Sequence, residues 1–254
     1  MSPRSLPLLP LRLPLWLLLA PLVAPVVAPL LVPPARAAES AVIQEILDGN
    51  QMYVDSRQAK VKQTATAPQQ VSTENSRGQL GFPGGAVGRL NRFSRMRLGQ
   101  GCFLLDKGQV LVSGKQSGCT RSARLSVRGT NYVLEVDDNG ESQLSVLEGE
   151  VAVEPLKDGE PTGKPPTTVQ AGQRLRLSPE GVILAVLGLT SGDYTSILQG
   201  PLFEGFRLPL PNYGSLENYI RSKVPGVTLP SLPGVSTPAV PTPSVPRLSL
   251  PRFF

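Results

Sequence analysis

The chain has 254 residues, a formal net charge of +6 and no histidine. The missing histidine excludes Ser-His-Asp and Cys-His hydrolase machinery and His-bound metals, and removes the side chain most used for proton transfer near neutral pH. Of the 27 prolines, nine lie in residues 1–37 and eight in residues 225–254, so the middle is compositionally ordinary and long enough for one core.

Residues 1–37 place Arg4 and Arg12 ahead of an apolar run from Leu13 to Val32, closed by Ala35-Arg36-Ala37. Charged start, apolar middle and an A-x-A end read as a secretory signal. The alternative is an inner-membrane anchor formed by residues 13–32, since about 20 apolar residues can span a bilayer. Pro14, Pro21, Pro25 and Pro29 oppose it, because each removes a backbone donor that lipid cannot replace. Cleavage after Ala37 leaves 217 residues and lowers the net charge to +3, so the high pI is partly a property of the leader.

Residues 40–190 read as one all-β domain. Its clearest stretch is Arg124 to Leu156, where apolar residues recur at every second position: Leu125 and Val127, then Tyr132, Leu134 and Val136, then Leu144 and Val146, then Val151 and Val153. That is a strand period. Asp137-Asp138-Asn139-Gly140 supplies a tight turn, which makes a β-hairpin followed by a further strand. The apolar phase moves from even to odd numbers across Glu148 and Gly149, so a bend or bulge there must keep one face buried.

An acid and a glycine recur between apolar strand residues at Asp48-Gly49, Asp106-Lys107-Gly108 and Glu148-Gly149. Spacings of 59, 41 and 23 between the glycines at 49, 108, 149 and 172 exclude a fixed-period solenoid. The unit points to an irregular β-roll or short solenoid-like stack. A jelly roll is the alternative, although the cupin version usually carries interior histidines.

Three runs carry a resemblance. Val127-Arg128-Gly129-Thr130-Asn131-Tyr132, Val146-Leu147-Glu148-Gly149-Glu150-Val151-Ala152-Val153 and Val169-Gln170-Ala171-Gly172-Gln173 together resemble the FecR family of bacterial periplasmic domains. The resemblance implies a FecR-type β domain, a periplasmic or secreted location in a Gram-negative-type bacterium, and a binding or sensing role in envelope signalling. In that family a membrane helix relays the signal to a cytoplasmic segment that controls a sigma factor. Only about a dozen residues precede the apolar run here, so the expectation is a FecR-like module lacking that segment.

Residues 191–224 change character. Gly192 to Leu198 and Ser215 to Lys223 read as short helices, the second with Ser215 as N-cap. Gly200, Gly205, Pro209, Pro211 and Gly214 enforce loop between them, and Leu202, Phe203, Phe206, Leu208 and Leu210 are expected to cover an end or edge of the β core. Residues 225–254 read as an extended, disordered proline-rich tail. Its last residues, Arg247 to Phe254, carry two arginines and two aromatics suited to docking.

Cys102 and Cys119 are the only cysteines, and in an exported chain the pair reads as a disulfide. A loop of this size implies roughly 3 kcal/mol of stabilisation. Two thiols without histidine make a poor zinc site, since zinc wants four ligands, commonly Cys and His, and no cofactor is expected. No G-x-S-x-G, H-E-x-x-H, P-loop or S-x-x-K arrangement occurs. Asp137 with Asp138, and Glu148 with Glu150, are the carboxylate pairs a glycosidase could use, but they read first as turn and outward strand residues, and the chain reads as non-enzymatic.

Charge is split along the sequence. Residues 89–128 carry nine basic side chains against Asp106, and residues 129–160 carry nine acids against Lys157. The blocks can pair across neighbouring strands, each exposed pair contributing about 0–1 kcal/mol. The functional alternative makes Arg89, Arg92, Arg95 and Arg97 a strip for an acidic protein surface or an anionic envelope polymer such as cell wall or lipopolysaccharide. Nucleic acid fits poorly, since Phe93 is the only aromatic among these arginines. Glycines 129, 149 and 172 (Gly129, Gly149, Gly172) are assigned to turns. The mass of the protein recovered from fractionated cells should correspond to a chain starting after Ala37, and should rise by two hydrogens on reduction.

Overall fold

A computed structural model describes residues 39–230. Residues 1–38 and 231–254 lie outside the described residues, as does what the sequence suggests of them; residues 225–230, expected to open the extended tail, are described, with Val227 and Leu229 packed against the helices and Pro230 accepting from the Tyr213 hydroxyl. The chain enters as β1 (Ser40–Leu47), β2 (Met52–Val54), β3 (Arg57–Gln58), β4 (Thr64–Thr66), β5 (Gln70–Thr73), β6 (Arg77–Gly81) and β7 (Val87–Leu90). It continues as β8 (Arg95–Leu98), β9 (Phe103–Gly114), β10 (Gly118–Cys119), β11 (Ala123–Val127), β12 (Thr130–Val136) and β13 (Ser142–Glu148). Then follow β14 (Glu150–Lys157), β15 (Glu160–Pro161), β16 (Thr167–Gln170), β17 (Gln173–Leu177), β18 (Ile183–Gly188), α1 (Ser191–Leu198) and α2 (Tyr213–Lys223). The all-β class and both C-terminal helices are as the periodicities predict. Among the described residues no helix is long and apolar enough to cross a membrane.

The strands form two layers. Hydrogen bonding orders the first as β4–β1–β6–β7–β9–β12–β13–β17–β18. The second runs β3–β2–β5–β8–β9–β10–β11–β14–β16. Strand β9 belongs to both. Its residues 103–107 pair with β8, and its residues 108–114 pair with β12. The pairing of β9 with β10 is parallel, and the Cys102–Cys119 bond, with Cα atoms 5.9 Å apart, lies at the start of that pair.

Alternation decides what each layer buries. Ile43, Leu80, Leu90, Val110, Val112, Tyr132, Leu134, Leu144 and Val146 of the first layer share one core with Met52, Val71, Met96, Leu98, Phe103, Leu105, Leu125, Val151 and Val153 of the second. Two sheets interleaving their inner faces is the ordinary way for such strands to leave water. The even-to-odd shift across Glu148 and Gly149 keeps Val146 and Val151 both in that core.

The shift is a corner between layers. Asp48-Gly49 leads from β1 to β2, Gly129 from β11 to β12, Gly149 from β13 to β14 and Gly172 from β16 to β17, and each step changes layer. The repeated acid-glycine unit therefore turns the chain over an edge, and its irregular spacing reflects unequal runs inside each layer. At Gly149 the backbone has φ 85°, and a Cβ would stand 2.5 Å from Thr130 Cγ2. Gly108, with φ 86°, is where β9 itself changes layer, and a Cβ there would stand 2.6 Å from the Ser94 Cα.

The first layer is apolar on both faces over its centre. Val87, Leu111, Val133 and Leu147 point away from the sandwich and pack with Tyr194, Leu198, Leu202, Phe203, Leu210, Leu216 and Ile220. Residues 191–224 thus form a third layer over the outer face of the first sheet, where sequence reading placed them at an end or edge. The reason is visible in the unbroken apolar runs Val110-Leu111-Val112 and Tyr132-Val133-Leu134, which mark strands buried on two sides. Leu208 alone of the five loop residues named above remains exposed, at 39%. Thr190 caps α1 through a capping box with Asp193. Helix α2 starts at Tyr213, so Ser215 is inside it and not its cap.

Gly149→Ala is expected to cost about 1–3 kcal/mol in urea unfolding, combining positive φ with the Thr130 contact. Gly129→Ala, where a Cβ meets nothing within 4 Å, should cost less, and the difference measures the contact.

Candidate functional site

The four arginines proposed as one strip are divided by the fold. Arg89 is on β7, on the outer face of the first layer, and is 0% exposed. It donates to Gln79 Oε1 at 2.8 Å and to the carbonyls of Leu202 and Leu208 at 3.2 and 2.7 Å. Its guanidinium also lies 4.3 Å from the centre of the Phe206 ring. Loss of hydration pushes its pKa down to about 10, with Glu45 acting in the opposite direction. Arg89 is therefore a buried anchor for the loop between the helices and no part of a binding strip.

Arg92 lies in the turn between β7 and β8 and contacts Asp48 Oδ2 at 2.6 Å. The same carboxylate accepts from Arg77 Nε at 2.5 Å. Arg77 in turn donates to the carbonyls of Pro201 and Glu204, so Asp48 links the β1–β2 corner to the outer loop. The hydrogen bond from Arg77 is the largest influence holding the Asp48 carboxyl below its ordinary 3.8, against the effect of burial.

Arg95 and Arg97 keep an outward position, because β8 alternates them with Met96 and Leu98, which are 0% and 1% exposed. They line a cleft of about 350 Å³ on the second layer. Strand β9 contributes Asp106 and Lys107, the β10–β11 turn contributes Arg121, and the tip of the β12–β13 hairpin contributes Asp137 and Asp138. Leu105, Val136 and Ser142, all buried, line it as well. Ser142 is held by Thr120 and Ser122 at 3.1 and 3.0 Å.

The cleft's charges are unequally used. Arg97 reaches Asp106 at 3.4 Å, and Lys107 reaches Asp138 at 2.5 Å. Asp137 accepts from the Asn139 and Glu141 amides, both at 2.9 Å, and so closes the hairpin turn. Among the described residues Arg95 and Arg121 make no ion pair, nor does Asp137, so the cleft sets four cationic side chains against three acids and leaves two guanidiniums unpaired. An exposed pair such as Lys107–Asp138 is weak enough to exchange for a ligand's acid. A guanidinium can take a carboxylate or phosphate through two parallel hydrogen bonds.

Elsewhere the split charges cancel across strands. Arg124 pairs with Glu154 at 3.0 Å and Arg128 with Glu150 at 3.8 Å. Glu148 accepts from Asn131 at 3.0 Å. A second groove on the outer face of the first layer holds Glu135, Glu141, Arg174 and Arg176, and its arginines are matched by Asp193 and Glu141. Gly129, Gly149 and Gly172 sit at corners and present no reactive group. Among the described residues no cluster of three or more acids or thiols could hold a metal.

Sequence reading counted Lys107 and Arg121 within the basic block but did not place them with Arg95 and Arg97. The local signal for all four is a basic residue beside a turn or on an outward strand position. Their convergence depends on β8, β9 and β10 being neighbours, which no local pattern states.

No family model matches the chain, and no curated protein matches it. Two crystal structures of a protein assigned as an anti-sigma factor from Parabacteroides distasonis are similar in fold, each with 19% identity and a TM-score of 0.41 over 52% of this chain. The match spans 64% and 65% of those chains, just under two thirds of their length.

Because the folded Asp48 pKa lies below the unfolded one, its stabilisation is present above about pH 4 and is lost as pH falls through the folded value. Asp48→Asn should lower stability at neutral pH by about 1–3 kcal/mol. In denaturant melts taken across pH, the gap to the wild-type protein should close below about pH 4.

Proposed function

We propose that this chain is an exported, non-enzymatic binding module of the bacterial envelope, of FecR-like type, that senses a ligand through the anionic group it presents to the cleft between β8, β9 and the β12–β13 hairpin. The observation that carries the reading is the presence in one cleft of Arg95 and Arg121, neither matched by a carboxylate, beside the exposed Lys107–Asp138 pair. The FecR-like runs at 127–132, 146–153 and 169–173 support the family side of the proposal. They coincide with the layer corners and so describe the scaffold; the cleft describes what the scaffold presents.

The ligand class is an acidic envelope polymer, with phosphate or carboxylate groups that a guanidinium can grip. Such binding weakens with salt, since the screening length is about 10 Å at 0.1 M.

Co-sedimentation with purified lipopolysaccharide and with cell-wall fragments tests this. Arg95→Glu should weaken binding by about tenfold or more, the loss expected of one charge-assisted contact of roughly 1.5–3 kcal/mol. Lys115→Glu makes the same change of charge on an exposed residue outside the cleft and should leave binding near the wild-type level. Equal losses in both variants would reduce the effect to net charge and sink the cleft as the site.

A further inference from the structure

The outward side of the second layer carries two aromatic rings beside the cleft. Strand β2 alternates buried Met52 and Val54 with Tyr53, and β5 alternates buried Val71 and Thr73 with Gln70 and Ser72, so Tyr53 and Ser72 point outward. Register sets Tyr53 opposite Ser72, Ser72 opposite Arg95, and Arg95 opposite Lys107. These residues make one row across β2, β5, β8 and β9, and the irregularity in the β8–β9 pairing falls after it. Neighbouring strands lie about 4.8 Å apart, so Tyr53 and Arg95 are about 10 Å apart at Cα, with only the short Ser72 side chain between them.

Phe93 stands at one end of the same face. Exposure alternates through Phe93, Ser94 and Arg95, with Phe93 at 57% and Ser94 at 1%, so ring and guanidinium share a side. Two residues apart, their Cα atoms can be separated by no more than about 7 Å. Phe93 has φ 54°, a left-handed conformation that Gly and Asn adopt readily and a bulky residue rarely does. Either would serve the turn better, and at this exposure the Phe93 ring contributes little to the core. Glu74 lies between the two rings: its carbonyl accepts from the Phe93 amide at 2.9 Å, and its carboxylate accepts from the Tyr53 hydroxyl at 3.5 Å.

We propose that this face takes the sugar rings of an acidic glycan, which stack on Tyr53 and Phe93 while an acid group of the same glycan enters the cleft at Arg95. The inference rests on the reading that the cleft takes an anion, and it adds the kind of molecule that bears the anion. The negative face of an aromatic ring attracts the polarised C–H groups along one face of a sugar. Glu74 accepts hydrogen bonds from hydroxyls and repels a phosphate or carboxylate laid over the rings, so a neutral, hydroxyl-bearing ring fits there and the acid is directed to Arg95. A polyphosphate has charge for Arg95 but no ring for Tyr53 and Phe93.

Calorimetric titration of the mature protein with oligogalacturonate, whose carboxylates are carried on sugar rings, and with polyphosphate of matched length tests this. The wild-type protein should bind both, and Arg95→Glu should weaken both. Phe93→Asn and Tyr53→Ala should each weaken oligogalacturonate binding by roughly threefold to tenfold and leave polyphosphate binding unchanged. Phe93→Asn should also keep or raise the urea midpoint, because Asn suits positive φ, which separates lost binding from lost folding. Phe93→Trp should retain binding, and because Trp16 lies in the leader, its emission in the mature protein should shift with oligogalacturonate and not with polyphosphate. A wild-type protein that binds only polyphosphate overturns the glycan inference and leaves the cleft standing. So do Phe93→Asn and Tyr53→Ala variants that lose nothing, or that lose both ligands equally, while Arg95→Glu weakens both. A wild-type protein that binds neither ligand, or an Arg95→Glu variant that loses neither, sinks the cleft and the glycan with it.

Discussion

Strand β9 has to satisfy both layers at once, and the fold is arranged around how it does so. Its first half pairs with β8 and β10 in the second layer, and its second half pairs with β7 and β12 in the first. Gly108 permits the change because its positive φ is open to glycine, and because a Cβ would meet the Ser94 backbone. The two sheets are therefore one continuous hydrogen-bonded surface folded over. The cleft lies beside this fold, with Asp106 and Lys107 immediately before Gly108.

The second half of β9 also lacks a wet side. Val110 and Val112 face the sandwich, and Leu111 faces the helical layer. That layer must cover the sheet without leaving its own loop carbonyls unsatisfied. Arg77 and Arg89 meet the requirement from the sheet: between them they donate to the carbonyls of Pro201, Glu204, Leu202 and Leu208, and both lie against the Phe206 ring. Burying cations is costly unless they are bonded, and Asp48, Gln79 and these carbonyls supply the bonds. This explains why a residue that looks like surface charge in the sequence is among the most buried in the molecule.

The arginines show where local reading succeeds and where it fails. Arg95 and Arg97 were legible as outward residues because they alternate with Met96 and Leu98 on one strand. Arg89 also alternates, with Gly88 and Leu90, but its outward side is the side covered by residues 202–208, far along the chain. Lys107 and Arg121 join the cleft only because β9, β10 and the β12–β13 hairpin are brought together in space. The disulfide was legible from the even number of cysteines and the expectation of export. The parallel β9–β10 pair it adjoins was not, since parallel pairing leaves no mark in so short a segment as Gly118–Cys119.

The sequence by itself determined the strands of 124–156 and their core-facing side, the glycine turns, the cysteine pair and the two helices. These follow from interactions within a few residues: the period of two, the tolerance of glycine for positive φ, and the reach of one helical turn. Tertiary structure alone decided that the corners change layer, that the helices cover a sheet face, and which charges meet. Those outcomes depend on which strands become neighbours, and that choice is set by burying two apolar faces of the first layer together, a condition no single segment carries.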